Sequence, residues 1–308
     1  MNQTLRKTAR RHSGMKVSGS DILFDVIVYV ILIFALIVVA YPLINVLSAS
    51  FSSASAVSAG QVVLLPVRPS LVAYKMVIGY KNIWIGYRNS LCYMVVGTLM
   101  ALFTNVLAAF PLSRKEFVGR RVFTLILAIT MYVHGGLVPT YLVISSLGLL
   151  DTFWVMVIPG AASVWHIIMI RTYFQNSIPD ELYEASQLDG CSDLKYLLSV
   201  LLPLSGPIVA VIALYTAVGI WNSYFNALIY LTKQELYPLQ IFLRNILTLG
   251  KNINIDEVEN IEEVQDMIGL SNLMKYAVIV VASVPVMVIY PFVQRYFVKG
   301  VVVGSVKG

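Results

Sequence analysis

Glu184-Ala185-Ser186-Gln187-Leu188-Asp189-Gly190, followed at a short interval by Val200-Leu201-Leu202-Pro203, is a polar island in an otherwise apolar chain. Just upstream, Ser177-Ile178-Pro179-Asp180 has the pattern of a helix start. Ser177 is expected to cap the first amides, with Asp180 three residues on as in a capping box. Asp180 and Glu181 suit the positive end of a helix dipole. Gly190 then turns the chain out of the helix, because a residue without a Cβ adopts positive φ freely. Ser192 is placed to cap a second short helix, which Pro203 and Pro207 end or bend. The stretch predicts a short helix–turn–helix held against a membrane face. The small residues Ala185 and Ser186 would let a partner approach closely.

The surroundings of that island decide the class. The chain has 308 residues, 58% hydrophobic and only 12% charged, with a mean hydropathy of +0.79. A soluble domain carries about 25% charged residues, so this is an integral membrane protein. The net charge of +6 does not by itself indicate nucleic acid, since its distribution matters more than its total. Cys92 and Cys191 form neither a disulfide framework nor a metal-binding Cys pair.

Residues 1–24 are a polar, basic tail with Arg6, Lys7, Arg10, Arg11 and Lys16, and a first transmembrane helix is expected over 25–48. The uncharged run Ile27–Leu47 is long enough to cross about 30 Å of hydrocarbon at about 1.5 Å per residue. The small residues after it could be read as a signal-peptidase site, but the run exceeds the roughly 7–15 residues of a signal core. A Ser-, Gly- and Pro-containing loop fills 48–87, and Asn89–Ser113 is a second span. A third begins after Arg121 and contains His134, with Gly135-Gly136 and Pro139 set to break or bend it. The fourth is expected over Thr152–Ile170, the fifth over Pro207–Leu231 and the sixth over Tyr276–Tyr296. The fold class is therefore all-α, with six transmembrane helices and a core over 85–298 that holds the last five of them.

Basic residues orient the chain. With the N-terminus inside, most of the 22 Lys and Arg residues fall on the cytoplasmic side: the N-tail, Arg114, Lys115, Arg120, Arg121, Arg171, Lys195, Arg295, Lys299 and Lys307. Arg68, Lys75, Lys81, Arg88, Lys233, Arg244, Lys251 and Lys275 fall outside. Both termini and the polar island are thereby placed in the cytoplasm. The segment 232–273 lies outside and is acidic, with Glu235, Asp256, Glu257, Glu259, Glu262, Glu263 and Asp266. It reads either as a solvated loop or as a docking surface for an extracellular solute-binding protein. Its apolar start, Leu236–Phe242, suggests packing at the bilayer surface.

No catalytic constellation stands out. His134 and His166 are isolated, and an interhelical hydrogen bond is the plainer role for each than a proton path. No Gly-rich phosphate loop ends in Lys-Ser or Lys-Thr, so the chain lacks the nucleotide motif of an ATPase. Ionisable residues are nearly absent from the spans, whereas ion-coupled transporters use buried carboxylates or their equivalent. Energy must enter through something else. In the fifth span, Trp221-Asn222-Ser223-Tyr224-Phe225-Asn226 would put Asn222 and Asn226 on one helical face. Amides in a bilayer must find partners, and two readings stand: interhelical glue, or a polar, aromatic path for sugars using Trp221, Asn222, Tyr224 and Asn226.

The spacing around Glu184 resembles the EAA loop of bacterial ABC-importer permeases, with Glu184, Ala185, Gly190, Leu202 and Pro203 in register. Ser186 stands in place of an Ala and Val200 in place of an Ile. The end of the chain, Gln294-Arg295-Tyr296-Phe297-Val298-Lys299-Gly300 and then Gly304-Ser305-Val306-Lys307-Gly308, resembles that of the maltose-type carbohydrate permeases. The 221–229 segment is similar to that of oligosaccharide- and polysaccharide-uptake members.

The resemblance implies a type I importer in a bacterial plasma membrane. A second homologous permease would complete a heterodimeric pore, two ATPase subunits would dock on the EAA loops, and an extracellular solute-binding protein would deliver an oligosaccharide. No cofactor is expected in this chain, ATP and Mg being held by the ATPase. Glu184, Ala185, Ser186, Leu188, Asp189, Gly190 and Pro203 would form the coupling element, with Lys307 and Gly308 in the tail 299–308 reaching the ATPase. The rival readings are a permease for a non-sugar solute and a membrane scaffold that docks an ATPase without transport.

Overall fold

The computed structural model describes residues 19–249 and 261–305, and every regular element among them is a helix. A long α1 (Gly19–Ser50) leads through two short helices, α2 (Ala54–Ser58) and α3 (Val72–Gly79), into α4 (Lys81–Ser113). Next come α5 (Arg120–Thr130), α6 (Leu137–Ser146), α7 (Val164–Ser177), α8 (Asp180–Leu188), α9 (Asp193–Tyr196) and α10 (Leu202–Leu204). The chain closes with α11 (Gly206–Trp221), α12 (Phe225–Tyr230), α13 (Leu239–Leu249) and α14 (Ile261–Ser305). All the basic residues of the N-tail, Asp256, Glu257 and Glu259, and Lys307 and Gly308 lie outside the described residues, while 19–24 form the start of α1.

Among the described residues, three stretches are long and apolar enough to cross a bilayer: Ile22–Ser50, Lys81–Ser113 and Gly269–Pro291. Two bent pairs qualify if each is taken as one span, Phe153–Gly160 with Val164–Ser177 at 48° and Asp193–Leu204 with Gly206–Trp221 at 82°. The third expected span is divided between α5 and α6, of 11 and 10 residues. At about 1.5 Å per residue neither alone is half as long as α4. The link between them, 131–136, contains exposed His134 and Gly136 at φ +88°.

Helix α4 is the axis of the bundle. It packs against α11, α7 and α13, while α14 packs against α1, α11 and α13. One end of α4 joins a core of Ile83, Met94, Trp221, Leu239, Phe242 and Leu273. The other joins Val106, Ala109, Leu112, Phe174, Tyr196 and Leu201. α4 thereby connects two sites at its opposite ends, about 50 Å apart for a helix of 33 residues.

Four details depart from the sequence reading. Ser177 caps nothing at the start of α8: it is the last residue of α7, and Pro179 holds the cap position of α8 with no side-chain bond. The cause is Pro179, which keeps Ile178 extended at φ −120°, ψ 119° and leaves a link too short for a capping box. Second, the fourth span is an α-helix only from Val164; Phe153–Met156 and Ile158–Gly160 are 3₁₀ turns around Pro159. Buried Asn105 serves this break, donating to the Ala161 carbonyl at 3.2 Å and accepting from the Ser163 amide at 2.8 Å. That satisfies backbone groups which hydrocarbon would leave bare. Third, the helix continues to Ser177 instead of ending near Ile170, because Arg171 and Gln175 spend donors on the Leu112 and Ser113 carbonyls.

Fourth, the apolar start of the 232–273 segment is buried against other helices of the bundle, a packing the sequence reading did not anticipate. Leu239, Ile241, Phe242, Leu243 and Ile246 are buried. Gly86 makes this possible: a Cβ there would stand 2.8 Å from both the Leu239 Cα and a Phe242 ring carbon. Polar groups of α4 complete the fit. Asn89 donates to the Glu235 and Tyr237 carbonyls at 2.6 and 3.0 Å, Tyr93 donates to the Leu236 carbonyl at 2.8 Å, and Ser90 accepts from the Leu239 amide at 2.9 Å.

Candidate functional site

The stretch Asp180–Leu204 forms a compact projection at the Ser113 end of α4. Gly190 turns the chain at φ +69°, and its amide donates to the Gln187 carbonyl at 3.0 Å, closing the end of α8. Ser192 accepts the Lys195 amide at 3.4 Å as the cap of α9. A π-helical turn, Leu197–Leu201, then carries the chain to Pro203, and the sharp bend at Ser205 sends it into α11. The two prolines interrupt the amide ladder at that bend.

Charge and aromatic contacts fix α8 to α4. The Arg114 guanidinium lies 4.7 Å from the Tyr183 ring, 5.2 Å from Tyr196 and 5.4 Å from Phe110. Its Nε is buried with no hydrogen-bond partner among the described residues, so the rings hold it through their negative faces. Tyr183 donates to Asp193 at 2.9 Å, and Gln187 donates to the same carboxylate at 3.2 Å. Desolvation, then the bond to Asp193, raises the Tyr183 pKa and keeps its phenol a donor. Lys115 pairs with Asp180 at 2.6 Å, and that bond raises the lysine pKa.

Glu184, Ala185, Leu188, Asp189 and Gly190 all remain exposed. Ser186 is half-buried, its hydroxyl donating to the Tyr183 carbonyl at 2.7 Å. Leu188 is 90% exposed and Leu194 60%, which leaves apolar side chains bare at the tip of a polar projection. Glu184 borders a shallow crevice with Arg114, Lys115, Glu116, Asp180 and Tyr183. Pro203 lies apart from this tip, at the bend.

The second candidate set lies toward the Lys81 end of α4. The expected common face of Asn222 and Asn226 does not form: α11 ends at Trp221, Asn222 is its C-cap, and α12 starts at Phe225. Asn222 donates to the Val218 carbonyl at 2.9 Å, one of the last carbonyls of its own helix, and so competes with continuation of the helix. Trp221, Asn222 and Tyr224 still meet at an open cavity of about 680 Å³, but Asn226 does not reach it. Trp221 is a wall: it is buried, its indole N–H is given to the Ala282 carbonyl at 3.2 Å, and its ring centroid is 5.9 Å from that of Tyr87. The opposite side of the cavity comes from α13 and α14, including Gln240, Arg244, Thr248 and Ser283. Sequence reading missed these residues and their anchors Gly86, Asn89 and Ser90. The spacing of Leu239, Phe242, Leu243 and Ile246 announces a buried face on α13, but not the helix that face packs against. Isolated His166 has no partner for its buried Nδ1 among the described residues.

An all-helical membrane protein with bent and broken spans, a cavity at one end of its axial helix and an exposed helical projection at the other belongs to the class of transport permeases. More particularly, the chain belongs to the family described as "Binding-protein-dependent transport system inner membrane component", which matches residues 15–303, and its fold is that of a type I ABC-importer permease. It is 37% identical over 291 residues to a polygalacturonan/rhamnogalacturonan transport system permease protein of Bacillus subtilis, covering 93% of this chain and 99% of the relative. An arabinooligosaccharide transport permease of Halalkalibacterium halodurans is 25% identical over 87% of this chain and 91% of its own. A chain of the solved bacterial ABC transporter involved in import of the acidic polysaccharide alginate superposes with a TM-score of 0.81 and 36% identity. It covers 91% of this chain and 98% of that one.

Proposed function

We propose that this chain is one of two homologous pore subunits of an importer that takes up oligosaccharides across a bacterial plasma membrane, with both termini in the cytoplasm. Two ATPase subunits bind ATP and Mg and supply the energy, and an extracellular binding protein delivers the sugar. The observation that carries this reading is the exposed projection Asp180–Gly190, braced on the end of α4 yet presenting Glu184, Ala185 and bare Leu188 outward. An apolar side chain 90% exposed on a polar projection is what a partner would cover. Glu184 would supply the charged contact, Ala185 and Ser186 the close approach, and Gly190 with Asp189 the turn. Lys307 and Gly308 would add a contact from the tail. The functions of the relatives support a sugar as cargo.

Movement of the ATPase pair would be transmitted as a push on a lever. Tyr183 and Tyr196 grip Arg114 at the end of α4, and α4 carries at its other end the residues that seat α13 beside the cavity. Displacing the projection would therefore move one wall of the cavity against another. Asn222 and Tyr224 would line the path there. The test is uptake of labelled oligosaccharide by proteoliposomes holding both permeases, the ATPase and the binding protein. The expected result is ATP-dependent accumulation, lost in Glu184→Lys with the permease pair still assembled. Undiminished uptake in Glu184→Lys would remove it from the coupling contact, and an ATPase-bound complex that moves no solute would favour the scaffold reading.

A further inference from the structure

We infer that the cavity beside α13 accepts a uronate-bearing segment of an acidic oligosaccharide, with Arg244 pairing its carboxylate; this rests on the sugar-transport reading above. Leu239, Phe242, Leu243 and Ile246 are buried and pin one face of α13 into the bundle. Gln240, Arg244 and Thr248 recur at helical spacing on another face, and all three line the cavity. Among the described residues, Arg244 is the one charged residue in that lining. It is exposed, and its guanidinium makes no ion pair or hydrogen bond among the described residues. An exposed guanidinium that meets no counter-charge in the cavity wall can take an anionic group of the ligand as its partner.

The rest of the lining suits sugar hydroxyls and ring faces. Asn222 has spent one N–H on its own helix and keeps its carbonyl oxygen and other N–H. Gln240 offers an amide, Ser283 and Thr248 offer hydroxyls, and Tyr224, 46% exposed, offers a ring. A neutral sugar satisfies these groups and leaves the guanidinium without an anion. A uronate satisfies both, because the planar guanidinium matches a carboxylate through two parallel N–H bonds. The volume of about 680 Å³ is in the range of small-ligand sites, roughly 300–1,000 Å³.

The test compares trigalacturonate with its carboxyl methyl ester as cargo for the complete reconstituted importer, in wild type, Arg244→Gln and Arg244→Lys. Co-purification of the ATPase checks assembly of each variant. Loss of the charge-assisted pair is expected to slow trigalacturonate transport about ten- to hundred-fold in Arg244→Gln, with Arg244→Lys intermediate and methyl-ester transport little changed. Wild-type trigalacturonate transport in assembled Arg244→Gln would overturn the inference, as would an equal fall for both cargoes. Wild-type uptake of the ester but not of the acid would overturn it while leaving oligosaccharide transport intact. Failure of the wild type to carry any oligosaccharide would instead overturn the reading on which it rests.

Discussion

Replacing Arg114 with Met should loosen the projection from α4 without removing any group that faces the proposed ATPase. Arg114 follows the last turn of α4, and its guanidinium is shared by Phe110 of α4, Tyr183 of α8 and Tyr196 of α9, all within 5.4 Å. A cation over an aromatic face contributes about 0.5–1 kcal/mol where exposed and about 2 kcal/mol where desolvated. Phe110 belongs to the same helix as Arg114, so only the Tyr183 and Tyr196 contacts count toward docking, together about 1–3 kcal/mol. Methionine retains an apolar stem in the slot and loses the cation. The docked state of the projection should then weaken by about ten- to hundred-fold, at about 1.4 kcal/mol per factor of ten. Hydrogen exchange of amides 180–204 in the assembled complex should speed up by a similar factor. Sugar transported per ATP hydrolysed should fall at the same time. Arg114→Lys should be intermediate, since it keeps the charge and loses the planar stack. Unchanged exchange and unchanged coupling in Arg114→Met would refute the account of α8 as a lever gripped at Arg114.

Gly190 tests the turn itself. No atom stands within 4 Å of a Cβ built there, so the cost of substitution comes from φ +69° alone; Gly190→Val should lose about 1–2 kcal/mol of local order and Gly190→Asn clearly less. Exchange rates at Cys191 and Ser192 read this, and equal effects of Val and Asn would count against it. Asp151 tests the opposite end of the molecule. It accepts from the Thr232 hydroxyl at 2.6 Å and amide at 2.5 Å, and these bonds, the hydroxyl first, lower its pKa from 3.8. A lowered folded pKa means that the clamp is fully stabilising above the unfolded carboxylate value and is lost as the pH falls through the folded one. Thermal stability of wild type in detergent should therefore show an acid-side decline, below about pH 4, that Asp151→Asn reduces; identical profiles would rule the clamp out.

Much of the Asp180–Leu204 projection was legible residue by residue. Gly190, Ser192 and the proline pair act through local backbone rules, so their turn, cap and bend follow from sequence. Ser177 failed because a nearer local constraint, Pro179, fixed the link first. The cavity was only partly legible. Trp221, Asn222 and Tyr224 were found as polar and aromatic oddities in a span, while Arg244 looked like one more outside charge. Its significance depends on α13 packing inward, and that depends on Gly86 leaving room and on Asn89, Ser90 and Tyr93 of α4 meeting the backbone at 235–239, some 140 residues or more away in sequence.

Composition and hydropathy alone determine that this chain is a multi-span, all-helical membrane protein, because hydrocarbon accepts few other arrangements of a backbone. The spacing Glu184-Ala185-Ser186-Gln187-Leu188-Asp189-Gly190 likewise determines a turn exposed beside a span. Tertiary structure decided where spans break and which helix lines the cavity. A break persists only where a distant group such as Asn105 satisfies the freed amides and carbonyls, and α13 lies inside only because a particular neighbour lacks a Cβ. Those are properties of pairs of residues far apart in sequence, so no stretch read by itself contains them.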